Sequence, residues 1–196
     1  MNDLEGLLHQ ITRDLNDQGA AAALVGGIAI SVRTEPRFTR DVDLAVAVDG
    51  DEEAQAFVRA MADRGWRVTT TLMQDAVGRL AAVRLDRLED GPAGRVVDLL
   101  FASSGIEPEI VAAAEELEVL PGIRARVARI GHLIVLKALA RADDRPQDAA
   151  DLVGLMEAAR PDDVREAREA AALVVDRGFD RGKDLIGEID GLTRGR

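Results

Sequence analysis

Apolar residues recur at helical steps near the start of the chain. Leu4, Leu7, Leu8, Ile11 and Leu15 fall three or four apart, which predicts an amphipathic helix over 3–18 with Gly19 placed to end it. A short apolar run at 21–25 then meets Gly26-Gly27, residues 28–32 suit a short helix, and a loop runs through Pro36. The period drops to two over residues 40–48, RDVDLAVAV, so that Val42, Leu44, Val46 and Val48 share one face of a strand. Helical spacing returns at 53–64, with Phe57 and Met61 inward, and strands are expected at 67–72, 80–86 and 95–101. The last of these, RVVDLLF, is apolar on both faces except at Asp98.

Beyond about residue 128 the pattern is helical throughout: 129–141, 147–159, 162–176 (opened by Pro161-Asp162-Asp163) and a last helix over roughly 181–190. Strands mixed with helices, followed by helices alone, predict an α/β (α+β) domain over 1–128 and a helical bundle or cap over 129–196. There is no internal repeat and no low-complexity tract.

Composition narrows the chemistry. Cysteine is absent from the 196 residues, which excludes disulfides, thiolate catalysis and sulfur-ligated zinc. Three serines and two histidines leave little for a Ser-His-Asp hydrolase, and no serine sits in a G-x-S-x-G elbow. With 36 carboxylates available, any metal site should be oxygen-ligated, favouring Mg²⁺ or Mn²⁺. A net charge of −11 argues against an extended nucleic-acid interface, although a local arginine patch remains open. No stretch is apolar enough to span a membrane, and the acidic start MNDLEGLLHQ lacks a basic signal region, so a cytoplasmic protein is expected.

The informative segment is Gly26-Gly27, thirteen residues, then Asp41-Val42-Asp43-Leu44. Strand periodicity puts Asp41 and Asp43 on one face, with Thr39 and Arg37 of the same parity. Two such carboxylates repel unless a cation lies between them, and Asp98, alone in its apolar strand, is the natural third member. Three carboxylates from neighbouring strands make an oxygen cage for one or two divalent cations. Each piece also has a plain structural reading: an Asp pair capping a strand start, a Gly-Gly turn. Lys137 is one of two lysines against 23 arginines and lies in the apolar helix HLIVLKALA. It suits a triphosphate as a compact charge, or else the solvent side of that helix. Asp148 and Asp151 share a helical face; as first-turn acids they need no function. His132 reads as a cap or interface residue, Trp66 as core, and Ser103-Ser104-Gly105 as a turn. Arg124, Arg126 and Arg129 read as a solvated face or a contact for an acceptor's phosphates.

The stretch LVGGIAISVRTEPRFTRDVDLAVAV resembles the signature of the polymerase-beta-like nucleotidyltransferases, hG[GS] followed by a D-h-D-h strand. The form GG-x-A … R-x-T-x-D-h-D-h is similar to the AbiEii/AbiGii-type toxins. So is Lys137 followed by Arg145-Pro146-Gln147-Asp148-Ala149-Ala150-Asp151-Leu152, a K … R-x-x-D-x-x-D-L element. These motifs span 24–152 and leave 153–196 unmatched. The resemblance implies a minimal nucleotidyltransferase fold: a twisted mixed sheet flanked by helices, with the C-terminal helices closing over a nucleotide. It implies attack of an acceptor hydroxyl on the α-phosphate of an NTP such as ATP, with pyrophosphate released. Asp41, Asp43 and Asp98 would hold Mg²⁺ or Mn²⁺, Asp98 serving as second-metal ligand or base. Gly26, Gly27, Arg37, Thr39, Lys137 and Asp148 would bind the nucleotide, with Asp151 and Arg145 as supports. Where relatives carry Gly-Ser, this chain has Gly27, so the phosphate contact falls to backbone. The acceptor (a tRNA 3′ end, a protein or a small molecule) stays open, and a cognate antitoxin is an implied partner. The alternative is a catalytically degenerate nucleotide-binding or regulatory module of the same fold.

Overall fold

The computed structural model describes residues 3–37, 39–75, 77–87, 95–142 and 146–194. Helix α1 (Asp3–Asp17) buries Leu7, Leu8, Ile11 and Leu15, as their spacing requires. There follow β1 (Ala22–Val25), α2 (Gly26–Arg33), β2 (Val42–Val46), α3 (Asp51–Ala62), β3 (Trp66–Gln74), β4 (Arg79–Arg87) and β5 (Val96–Leu100). Next come α4 (Glu107–Ala113), β6 (Glu115–Leu120) and β7 (Ile123–Val127). Four helices complete the chain: α5 (Ile130–Ala140), α6 (Pro146–Ala158), α7 (Pro161–Asp176) and α8 (Leu185–Arg194). The strands form one mixed sheet in the order β3-β4-β5-β2-β1-β7-β6. At its centre β2 runs antiparallel to β1 and parallel to β5; β1 and β2 are nearly continuous buried runs, whereas β5 alternates between buried and half-buried positions.

The α/β expectation holds, with local corrections. The strand expected over 40–48 is confined to 42–46, so Asp41 sits immediately before it and Val48 after it, where the chain turns toward α3. Helix α4 and the β6–β7 hairpin were not expected from the sequence. The hairpin's charged residues alternate with its apolar ones around a two-residue Pro121-Gly122 turn, and only one face is covered. The last helix starts at Leu185 rather than near 181, because the Asp184 carboxylate accepts from the Gly187 N–H at 2.9 Å and sets the first turn there.

One apolar core runs from the sheet into α5–α8. Helix α5 is apolar nearly all round and is packed by α2, α6, α7 and α8, so it has almost no solvent face. Lys183 serves its end: the ammonium donates to the carbonyls of Ala138 (3.2 Å), Leu139 (2.8 Å) and Arg141, which the helix leaves unpaired. Trp66 is core, with its Nε1–H donating to Asp14 Oδ2 at 2.8 Å. The basic cluster is claimed by the fold. Arg124 pairs with Glu116 at 3.0 Å, Arg126 donates to the Val111 carbonyl at 2.6 Å, and Arg129 pairs with Glu166 at 3.2 Å. No ready-made phosphate patch is left there.

His132 is buried in α5 with its Nδ1 unpartnered among the described residues. Burial, reinforced by the Arg129 charge and only partly opposed by Glu109, pushes its pKa down to about 4. A depressed pKa means the folded state holds the neutral ring. Stability is therefore full above the unfolded value near 6.5 and is lost as pH falls toward 4, by about 2–3 kcal/mol. Denaturant titrations of wild type and His132→Gln between pH 7 and 4 should show a shallower loss in the variant. An identical pH slope in both would show that His132 does not carry it.

Candidate active site

A cleft of about 870 Å³ opens between the sheet and the α5–α6 side of the helical part. Gly26, Gly27, Arg37, Thr39, Asp41, Asp43, Asp98, Lys137 and Asp148, named separately from the sequence, all line it. Arg145 lies outside the described residues.

Register brings the carboxylates together. Asp43 on β2 pairs directly with Asp98 on the parallel strand β5, so their side chains leave the same face of the sheet side by side. Asp41 stands two residues upstream and faces the same cleft. On the other flank, Val25 pairs with Asp43, and the chain turns at once into α2. That turn needs Gly26 in the left-handed region at φ +60°, where a β-carbon would lie 2.0 Å from Asp43 Oδ2. A β-carbon on Gly27 would fall 2.6 Å from Thr39 Oγ1 and 3.1 Å from an Arg37 amine. The loop before β2 is thus pressed onto the start of α2, and Ser31 of α2 pins it, its Oγ accepting from the Arg37 N–H at 3.4 Å.

Electrostatics separates the members. The pKa of Asp43 is pushed up to about 6, first by burial, then by Asp98 and Asp41; a hydrogen bond from Gly27 and the charge of Lys137 only partly offset this. Asp98 lies beside it with both oxygens held by Arg84 of β4, Nε at 2.8 Å and Nη2 at 2.7 Å. The solvent-side reading of Lys137 fails because its side chain is only 14% exposed and is turned onto buried carboxylates. Its ammonium lies 2.7 Å from Asp148 Oδ1 and 2.9 Å from Asp151 Oδ2. Asp151 also accepts from Arg37 Nη2 at 3.0 Å and from the Gln147 amide at 2.9 Å. Burial alone would raise the Asp151 pKa, but the bonds from Lys137 and Gln147 outweigh it and hold the carboxyl low. Asp151 therefore joins the helical part to the loop that carries Arg37 and Thr39.

An oxygen-only donor set with like charges crowded onto one face suits a divalent cation, and the raised Asp43 pKa registers that crowding. As the side chains stand, no three acids or histidines among the described residues converge closely enough to hold an ion, and Arg84 engages Asp98. Arg84, Gln147, Thr70 and Arg181 also line the cleft and were not singled out from the sequence. Among 23 arginines, only the cross-strand register of Arg84 with Asp98 marks it.

The family model for the AbiEii nucleotidyltransferase toxin of type IV toxin–antitoxin systems matches residues 11–192. The chain belongs to the AbiEii nucleotidyltransferase family. Membership extends through α7 and into α8, past the motifs that stop at residue 152. No curated protein matches the sequence. Among solved structures, an antigenic nucleotidyltransferase-like protein from Paracoccidioides brasiliensis is similar, with TM-score 0.54, 17% identity and coverage of 100% of this chain and 94% of that one. The antibiotic-resistance factor ANT(2'')-Ia gives TM-score 0.51, 19% identity and coverage of 100% and 94%. The lincosamide antibiotic adenylyltransferase LnuA, solved with lincomycin bound, gives TM-score 0.50, 12% identity and coverage of 78% and 96%. At such identities the likeness is one of fold: this AbiEii-family chain has the minimal nucleotidyltransferase fold, a seven-stranded mixed sheet flanked by helices. No helix among the described residues is long and apolar enough to cross a membrane.

Proposed function

We propose that this protein moves an NMP from an NTP to an acceptor hydroxyl, dependent on Mg²⁺ or Mn²⁺, as the cytoplasmic toxin of a toxin–antitoxin pair. The observation that carries this reading is the side-by-side placement of Asp43 and Asp98 on parallel strands, against a Gly26 that leaves room for hydrogen only. Residues 1–128 would form the catalytic domain and 129–196 the helical domain that contributes Lys137 and Asp148. The Gly26-Gly27 backbone and the start of α2 would receive the triphosphate, with Lys137 and Arg37 supplying positive charge. Lys137 is held in place by Asp148 and Asp151 rather than swinging free, so the cation is oriented before nucleotide arrives. Asp41, Asp43 and Asp98 would hold the divalent ion, which when bound neutralises charge on the phosphates and lowers the barrier to displacement. The acceptor oxygen forms the new bond to the α-phosphorus, the bond to the β-phosphate oxygen breaks, and pyrophosphate leaves. The acceptor proton passes to a carboxylate of the cluster, with Asp98 on the acceptor side.

The test is incubation with each NTP separately, with Mg²⁺ or Mn²⁺, against tRNA, total protein and small hydroxylated metabolites. The added mass would identify both nucleotide and acceptor. No transfer beyond that of Asp43→Ala in any acceptor class would sink the reading. The hold of Arg84 on Asp98 is what favours the alternative, a nucleotide-binding module without turnover. Calorimetry separates the two: a module binds NTP with an affinity indifferent to Mg²⁺ and to loss of Asp41.

A further inference from the structure

The strand order sets a row of side chains across the cleft floor: Thr70, Arg84, Asp98 and Asp43 are successive cross-strand partners on β3, β4, β5 and β2. Three features of Arg84 stand out within that row. Its guanidinium spans both oxygens of Asp98 at 2.8 and 2.7 Å, the fork geometry that gives the strongest carboxylate pairing. The Asp98 side chain is only 16% exposed, whereas that of Arg84 is 45% exposed and rests at the cleft edge with room to leave. Finally, β4 lies on the far side of β5 from β2, so Arg84 approaches Asp98 from the side opposite Asp43, Gly26 and Gly27.

We propose that Arg84 is the built-in counter-ion of the carboxylate cluster, occupying Asp98 until a divalent cation displaces the guanidinium toward the acceptor side of the cleft. This rests on the metal-dependent reading above. Without Arg84, Asp98 would stand uncompensated beside Asp43 in a half-buried site, at a cost that a bound cation would remove. With Arg84, the apo cluster carries one less net negative charge, and a cation must break a two-pronged ion pair to gain its third ligand. The arrangement therefore weakens cation binding to the nucleotide-free protein. Once displaced, the guanidinium faces Thr70 and the approaching acceptor, and one residue serves the empty and the loaded site in turn.

Binding of Mn²⁺ alone, followed by the electron paramagnetic resonance of the free ion at pH 7.5, tests this without turnover. Arg84→Gln should bind Mn²⁺ at least tenfold more tightly than wild type, and Arg84→Lys, which keeps the charge, should gain much less. In Arg84→Gln/Asp98→Asn the gain should vanish, which ties it to that carboxylate. Arg84→Lys also covers the case in which the neutral variant folds poorly, with circular dichroism reporting the fold of each. Equal or weaker binding by Arg84→Gln, equal gains in both single variants, or a gain that survives loss of Asp98 would each overturn the proposal. If no form binds Mn²⁺ even at millimolar concentration, the metal-dependent reading falls with it. If wild type transfers nucleotide normally but the variants bind no tighter, only the role of Arg84 falls.

Discussion

Replacing Asp43 by asparagine should abolish nucleotidyl transfer and at the same time raise the melting temperature of the metal-free protein. The two effects share one cause. Asp43 is half-buried with Asp98 in register beside it and Asp41 nearby, and its pKa is pushed up to about 6, by burial first and by these charges next. A carboxyl whose folded pKa exceeds its unfolded value destabilises the fold as pH rises through the interval between them, here from about 4 to about 6. Above pH 6 the whole penalty is in force. Asparagine is isosteric, can still accept the Gly27 N–H bond, and carries no charge. Discounting for partial exposure, we expect about 1–2 kcal/mol of stabilisation at pH 7.5, a rise of a few degrees, and almost none at pH 4. Activity should fall at least roughly a hundredfold, because a charge aimed at the reacting phosphate is lost. Mg²⁺ or Mn²⁺ should raise the melting temperature of wild type but not of the variant. Scanning calorimetry at pH 4 and 7.5, with and without the cation, reads all of this. A variant less stable than wild type at pH 7.5 would show that Asp43 is not strained by its neighbours.

Much of the site was legible because its members break local patterns. Asp43 is the one acid within an otherwise apolar strand, and Asp41, just before that strand, has the same parity and lines the same cleft. Asp98 is conspicuous for the same reason, as is Lys137 in a helix that is apolar nearly all round. Burial of α5 turns that last oddity into a contact: with almost no solvent face, the ammonium must find carboxylates, and it finds Asp148 and Asp151. Arg84 was not legible. One arginine in RLAAVRLDR looks like the exposed member of an alternating strand, and its meaning comes from a neighbour fourteen positions away. The role of Asp151 as a brace between Lys137 and Arg37 has the same origin, a contact across 114 positions that no local period encodes.

The fold shows the same division. Strands made almost wholly of apolar residues, such as β2 and β5, declare themselves as apolar runs, whereas the β6–β7 hairpin at the sheet edge hides among charges that look like loop. Its alternation of Glu116 and Glu118 with Leu117 and Val119, closed by Pro121-Gly122, was the available signal. The hairpin matters to the site indirectly. Arg33, in the last turn of α2, donates to the Val127 and Ala128 carbonyls at 3.2 and 3.1 Å, which fixes the helix whose first turn carries Gly26 and Gly27.

The Gly26→Ala variant should be strongly destabilising and inactive. Two penalties combine. The residue sits at φ +60°, where a β-carbon costs roughly 1–2 kcal/mol. The added carbon would also lie 2.0 Å from Asp43 Oδ2 and 2.8 Å from Asp43 Cβ, so rotating the carboxylate away does not clear it and the strands must part. Overpacking of this kind costs about 1–3 kcal/mol, and the sum is roughly 3 kcal/mol or a melting temperature lower by about 6–12 °C. Transfer should be lost even in the fraction that folds, since Asp43 can no longer stand beside Asp98. Two controls separate strain from chance. Gly154→Ala, within α6 and facing open space, should be neutral to stabilising by up to about 1 kcal/mol. Gly26→Ala should cost less in an Asp43→Ala background than in wild type, since the contacts with Oδ2 and Cγ are gone and only the 2.8 Å approach to Cβ remains beside the backbone term. If Gly26→Ala melts and transfers like wild type, or the double variant recovers nothing, then the close approach of β1–α2 to Asp43 does not shape this site.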